Sequence, residues 1–277
     1  VGTVMVSYSS WQGKKMHEHK YLLTEVLKEE LGFQGFVVSD WNAINEINAS
    51  SFEDKVIKAV NAGVDMFMQP SNWQKFSEAL TKAVEKGDVS EARINDAVRR
   101  ILRIKYRADL FKEPLVNREL LDSVGSDQHR EIARKAVRES LVLLKNQQEL
   151  LPLDKGADVY VAGSNADDLG SQCGGWTIKW QGATGDITEG TTILEGIKQT
   201  LTDSGQVVND ISEADVGVVV VGEDPYTEGK GDNGKLQLSA SDLEAIEEVK
   251  EAGKPVAVIM VSGRPLMIND YIDDWDA

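Results

Sequence analysis

The chain is poor in cysteine and short of positive charge, and it has no long apolar run. A single cysteine, Cys173, stands among 277 residues, so no disulfide can close within the chain and no cysteine-based metal site can form. Lys and Arg number 30 against 46 Asp and Glu, a net charge of −16. That deficit argues against a phosphate-backbone partner, which needs clustered Lys and Arg, and against an anionic membrane surface. No apolar run approaches the roughly 20 residues that cross a bilayer. What is present is a hydrophobic fraction of 41% over a length with room for two ordinary domains. Such a balance fits a neutral or cationic ligand. The chain opens inside an apolar stretch, VGTVMVSY, and stops in IDDWDA. The expectation is therefore an internal piece of a longer protein, for which a missing signal peptide is uninformative.

Periodicity predicts alternating strands and helices. Val4–Val6 reads as a strand ending near Ser7 and Tyr8. Leu22, Leu23, Val26, Leu27 and Leu31 read as a helix stopping at Gly32. A strand over Phe36–Ser39 follows, then a helix through Val56, Ile57 and Val60, then a strand over Val64–Met68. Two more helices carry Trp73, Phe76, Leu80 and Val84, and, after Ser90 as N-cap, Ile94, Val98, Ile101 and Leu102. This order implies parallel strands joined by right-handed crossovers, part of an open sheet or of a (β/α)₈ barrel. From Ala108 to Gly125 the periodicity disappears, as in a linker. Ser126 then precedes an amphipathic pattern through Ile132, Ala136, Val137, Leu141 and Leu144. Strands over Val159–Ala162, Val216–Val221 and Val256–Val261, with helical stretches around Ile193–Leu201 and Leu243–Ala252, predict a second layered α/β unit.

In parallel α/β folds functional side chains sit at the C-terminal ends of strands. The stretch GFVVSDW places Asp40 at such an end, as Tyr8 and Gln69 follow the first and third strands. An aspartate there either caps its loop or faces a ligand. Trp41 beside it favours the ligand, because an indole offers a broad flat face that matches the axial C–H face of a sugar. Glycoside chemistry needs a second carboxyl group. The candidates lie in GEDPYTEGKGDNG, which holds Glu223, Asp224, Glu228 and Asp232 after an apolar strand. The same loop also reads as a solvated acidic loop or a metal loop, although its acids do not have EF-hand spacing. A third stretch, QCGGWTIKWQG, sets Trp176 and Trp180 in a glycine-rich segment without periodicity, a candidate second aromatic wall. His17 and His19 in KMHEHK do not form an HExxH zinc motif and read as helix-start or loop contacts. GSNADDLG does not match a dinucleotide fingerprint.

Together SYSSWQGKKMH, GFVVSDW, QCGGWTIKWQG and YTEGKGDN resemble glycoside hydrolase family 3, with the exo-acting β-glucan glucohydrolases and β-glucosidases nearest. The likeness runs over essentially the whole chain. It implies an α/β fold class: the C-terminal part of a (β/α)₈-like barrel (the last three βα units, 1–108), a linker (109–125), and an α/β sandwich domain (126–277) cut short at its end. It further implies a retaining, exo-acting enzyme that releases glucose from β-glucosides or β-glucan oligosaccharides through a covalent glycosyl-enzyme, with no cofactor or metal. By the family motif Asp40 is the nucleophile and Glu228 the acid/base, working between the two domains. Trp41 and Trp180 sandwich the leaving sugar, Tyr8 stands close to the nucleophile, and Trp176 is the other tryptophan of its loop. Three departures stand out. The earlier barrel strands, with the residues that grip the −1 glucose, are absent. Glu46 stands where some relatives carry arginine. The last part of the sandwich is missing. A branch acting on N-acetylglucosaminides uses a barrel-loop histidine instead, but YTEGKGDN favours the glutamate type. The alternatives are a phosphorylase or transglycosylase on the same scaffold, or a non-catalytic carbohydrate-binding module. The substrate class points to a secreted or periplasmic protein, with no nucleic-acid or membrane partner.

Overall fold

The computed structural model describes residues 1–277, which divide into two compact units, Val1–His129 and Arg130–Ala277. The first unit holds a parallel pair, β1 (Thr3–Met5) and β4 (Phe36–Val38), in the register Val4↔Val37. Between them lies a small hairpin, β2 (Ser10–Trp11) and β3 (Lys14–Lys15). Its turn residues Gln12 and Gly13 both have positive φ, 49° and 76°. Such a two-residue turn matches the right-handed twist of the strands it joins. The helix over Tyr21–Glu30 is of π type and closes on Leu31, whose N–H reaches the carbonyl of Val26 five residues back. Helices α1 (Phe52–Ala62), α2 (Trp73–Glu85) and α3 (Glu91–Arg107) follow, and Ser51 and Ser90 cap α1 and α3 by accepting N–H bonds from Asp54 and Arg93.

The strand expected over Val64–Met68 is reduced to a single parallel bridge, Val38↔Met66. The reason is Asp65. Its carboxylate Oδ2, rather than a backbone carbonyl, accepts the Val37 N–H at 2.8 Å. A side chain has thus taken the place of a ladder partner, and the backbone alongside runs extended without a regular ladder. Asp65 is itself held by Lys28 (2.8 Å) and by Arg93, and its side chain is fully buried. Burial pulls the Lys28 ammonium below its ordinary pKa despite the carboxylate beside it. This ion cluster fastens the start of β4 to α3, while Val37, Val56, Val60 and Val64 close the apolar core around it.

The second unit is a four-stranded parallel sheet built from β5 (Val159–Ala162), β6 (Val207–Val208), β7 (Val216–Gly222) and β8 (Val256–Val261), in the order β6–β5–β7–β8. The β7 run VGVVVVG is buried on both faces, as a central parallel strand must be. Val219 and Val221 pack with Ile246 and Val249 of the helix α7 (Ala240–Glu251). Val218 and Val220, pointing the opposite way, pack towards Ile193 and Ile197 of the helix α6 (Ile193–Thr200). Each such valine is worth roughly 1.5–3 kcal/mol when fully buried. Gly217 interrupts the valines because a Cβ there would meet the side chain of Val249.

Two expectations change in this unit. The helix after Ser126, α4 (Asp127–Ser140), ends before the apolar pattern does: Leu141 still donates its N–H to the Val137 carbonyl at 3.2 Å, Leu144 lies beyond the helix, and both are exposed. The apolar spacing continued past the point where helical hydrogen bonding stops. A short helix, α5 (Leu169–Cys173), forms in a stretch expected to be loop. It is capped by Asp168, whose Oδ1 accepts N–H bonds from Ser171 (2.7 Å) and Gly185 (2.9 Å). Five residues are too few to show a period in the sequence.

Candidate active site

Two constellations lie at the C-terminal ends of parallel strands, one in each unit. In the first unit β4 delivers Asp40. Ser39, fully buried, donates its N–H to the Met66 carbonyl and accepts the Met68 N–H at its Oγ, which fixes the strand tip. The Asp40 N–H donates to Nε2 of His17 at 3.0 Å. Its carboxylate Oδ1 accepts the N–H of Trp41 at 2.7 Å. Asp40 is therefore anchored on both sides of its Cα. His17 is 1% exposed, and an accepting Nε2 requires the neutral ring with its proton on Nδ1. Burial lowers the His17 pKa, and neighbouring Lys15 adds to that, against the upward pull of Asp40.

Trp41 is 58% exposed and is followed by Asn42 in the left-handed region, φ 56°, which turns the chain sharply after the tip. Tyr8 is exposed at the end of the first strand segment, its ring 6.5 Å from that of His17. Glu46 faces Lys15 at 3.9 Å across a weak surface pair. His19 caps the start of the Tyr21–Glu30 helix, its Nδ1 accepting the Leu22 N–H at 3.4 Å. His17 is the neighbour of Asp40 that the motifs leave unassigned; it is 23 positions away, and only the hairpin fold-back brings it to the strand tip.

In the second unit the loops after β5 and β7 emerge side by side, because those strands pair in register from Val159↔Val216 to Ala162↔Val219. They leave the sheet where the strand order reverses, the usual place for a ligand crevice in such sheets. This adjacency brings QCGGWTIKWQG and YTEGKGDN together. Gln181 and Thr227 lock the two loops. Gln181 Nε2 donates to Thr227 Oγ1 at 2.6 Å, and Thr227 N–H donates to Gln181 Oε1 at 3.2 Å. Thr227 Oγ1 in turn donates to the carbonyl of Trp180 at 3.1 Å. Glu228 follows, exposed, with a φ of 51°.

Trp176 and Trp180 are 68% and 47% exposed, so neither is core, and their rings lie 6.5 Å apart at 59°. Lys230 stands over the Trp180 ring at 5.1 Å. Glu223 and Asp224 divide by partner. Arg264 grips Glu223, while Asp224 is exposed. Burial pushes the Glu223 carboxyl up, yet hydrogen bonds from Arg264, Ser262 and Tyr226 outweigh it and hold it below the ordinary carboxylate range. A 190 Å³ cavity lies beside this loop, lined by Gln172, Cys173, Gly175, Glu223, Tyr226 and Ser262.

Comparison with known proteins agrees over both units. Residues 1–104 match the model of the glycosyl hydrolase family 3 N terminal domain, and residues 141–277 that of the family 3 C-terminal domain. A lysosomal beta glucosidase of Dictyostelium discoideum is 33% identical over 96% of this chain and 36% of its own length. The solved exo-1,3/1,4-beta-glucanase of a Pseudoalteromonas species superposes with a TM-score of 0.91 at 39% identity, over 100% of this chain and 36% of that one. A beta-glucosidase from Listeria innocua, solved in complex with glucose, gives 0.87 at 26% identity, over 98% of this chain and 39% of that one. The chain thus spans well under half the length of these relatives.

Proposed function

Because the chain belongs to glycoside hydrolase family 3 and has its α/β fold, the C-terminal part of a (β/α)₈-like barrel followed by an α/β sandwich, we propose that it carries the two catalytic acids of a retaining, exo-acting β-glucosidase or β-glucan glucohydrolase. In this reading residues 1–108 are the closing βα units of the barrel, 109–125 a connector and 126–277 the sandwich. The observation that supports it most is the anchoring of Asp40, an acid held at a strand tip by bonds at its N–H and at Oδ1.

Asp40 is the nucleophile. With Oδ1 occupied by the Trp41 N–H, Oδ2 attacks the anomeric carbon and the bond to the leaving oxygen breaks. Glu228, protonated at that moment, gives its proton to the departing oxygen, and Asp40 is left as a glycosyl ester. In the second half Glu228, now a carboxylate, takes a proton from water as the water oxygen attacks the anomeric carbon. The ester bond breaks, Asp40 recovers its charge and Glu228 its proton. Trp41 and Trp180 flank the leaving sugar, with Trp176 extending the wall, and Tyr8 stands by the nucleophile. The substrates are β-glucosides, a class consistent with the glucose bound by the Listeria relative. A lysosomal relative and periplasmic ones accord with work outside the cytoplasm, in a secretory or periplasmic compartment.

The test is NMR of the first sugar that the full-length protein releases from an aryl β-glucoside. The expected product is the β-anomer. An α-anomer overturns the retaining mechanism, glucose-1-phosphate formed only with phosphate reveals a phosphorylase, and binding without turnover reveals a carbohydrate-binding module.

A further inference from the structure

Glu228 is exposed and lies on a loop that leaves β7 at Gly222, with glycines on its C-terminal side at Gly229 and Gly231. Nothing in its own burial fixes it. The stretch Glu223–Gly231, from which the chain runs on to α7 at Ala240, is nevertheless bridged at its two feet by one side chain. Arg264 Nε and Nη2 fork onto the Glu223 carboxylate at 3.1 Å and 2.6 Å, at the first foot. Its Nη1 donates to the carbonyl of Gly231 at 2.6 Å, at the second. The guanidinium also lies over the Tyr226 ring, 4.3 Å from its centre. Tyr226 Oη and Ser262 Oγ complete the shell of Glu223, at 3.2 Å and 2.7 Å. Gly231 admits the close approach, since a Cβ there would strike the Tyr226 ring. Between the feet, Gln181 holds Thr227.

We infer that Arg264 is a positioning residue: by clamping Glu223 and Gly231 it sets the orientation in which Glu228 presents its proton to the leaving oxygen. The inference rests on the reading of Glu228 as the acid/base. Arg264 comes from the loop after β8, and β8 pairs with β7 through Gly222↔Val261, so the clamp is referred to the rigid sheet and not to the loop itself. A planar fork is required. A lysine is a point charge with no fixed geometry, and it would reach one foot without holding the other. Hydrogen bonding within the clamp favours its charges: Glu223 sits below the ordinary carboxylate range against the upward push of burial, and the bond to Glu223 raises Arg264.

Proton delivery matters in proportion to how poorly the leaving group departs alone. A 2,4-dinitrophenolate leaves without a proton, whereas a sugar hydroxyl does not. The experiment is therefore kcat/KM for a series of aryl β-glucosides and one disaccharide, measured on full-length Arg264→Lys, with the thermal midpoint as a fold check. General-acid assistance is typically worth roughly 10²–10⁴-fold. The expected loss is about 10²-fold for the disaccharide and under about threefold for the dinitrophenyl glucoside, on the low end of that scale. Tyr226→Phe, which removes one bond to Glu223 and keeps the ring, is the milder variant if Arg264→Lys does not fold. It is expected to show the same trend at a few-fold. A uniform loss across the series, or none, overturns the clamp. Glu228→Gln is the control: a flat profile there overturns the reading of Glu228 as the acid, whereas a sloped Glu228→Gln beside a flat Arg264→Lys overturns the clamp alone.

Discussion

Asp40 and Glu228 are held by opposite means. Asp40 sits two residues beyond β4, and backbone N–H groups, its own and that of Trp41, fix it. Glu228 sits six residues beyond β7 on an exposed loop, and side chains from other loops, Gln181 and Arg264, hold the chain around it. On the proposed roles, a strand tip suits a nucleophile, which must meet one carbon along one line of attack. A tethered loop suits an acid that later works as a base and meets first a leaving oxygen and then a water. The contrast also says where each constellation is fragile: the first through the core beneath it, the second through its ties.

The sharpest way to break the comparison is Asp40→Gly in the full-length protein. Turnover should fall by on the order of 10⁴-fold or more, the scale for loss of a covalent nucleophile. Azide should restore turnover as the α-glucosyl azide, read by NMR. A β-azide would mean that Asp40 is not the attacking group. Next in size is Asp65→Asn, which takes the near carboxylate from buried Lys28 and leaves it only that of Asp96 at 3.9 Å. Urea unfolding should show the folded state weakened by about 3–5 kcal/mol, with the dimension of the effect set by stability and not by chemistry. In the second unit Gln181→Ala should unlock the Trp loop from Thr227 and cost on the order of 10-fold in kcat/KM, since misplacement by an ångström can cost up to about 10²-fold, with the unfolding midpoint little changed.

The smallest effect is a pH dependence. Burial lowers the pKa of folded His17, whereas the unfolded chain titrates near the usual ~6.5. Above that pH neither state takes the proton. As pH falls below about 6.5 the unfolded state binds it first, so stability drops, by up to about 1.4 kcal/mol per pH unit, until the folded pKa is reached. His17→Gln, which keeps an acceptor for the Asp40 N–H, should flatten that drop in unfolding measured between about pH 7 and pH 5.

The elements with a strong period were legible in the sequence. The β7 valines and the helices α1 and α3 lie where spacing, and for α3 the Ser90 cap, put them. The misreadings share a cause. Val64–Met68 has strand composition, but the Asp65 side chain took over the ladder bond. Leu144 continues an apolar period past the last helical hydrogen bond, that of the Leu141 N–H to the Val137 carbonyl. Asp40, Trp41, Trp176 and Trp180 stand out in the sequence as unusual residue types in strand-end loops, whereas Glu228 is one of four acids in its loop and only the family resemblance picks it out. Gln181 and Arg264 do not stand out, and the roles of His17 and Glu223 are not legible although both residues are visible, because an ordinary polar side chain reveals its role only through its partner.

The sequence by itself determined the parallel α/β order, the acidic balance and the motifs that carry the family likeness, since these follow from local periodicity and residue chemistry. Tertiary structure alone decided that a neutral histidine underpins Asp40, that the tryptophan loop and the Glu228 loop share one end of a sheet, and that Arg264 spans the feet of the latter. Those are long-range pairings, and their partners are chosen by strand register and loop closure, which no short stretch of residues encodes.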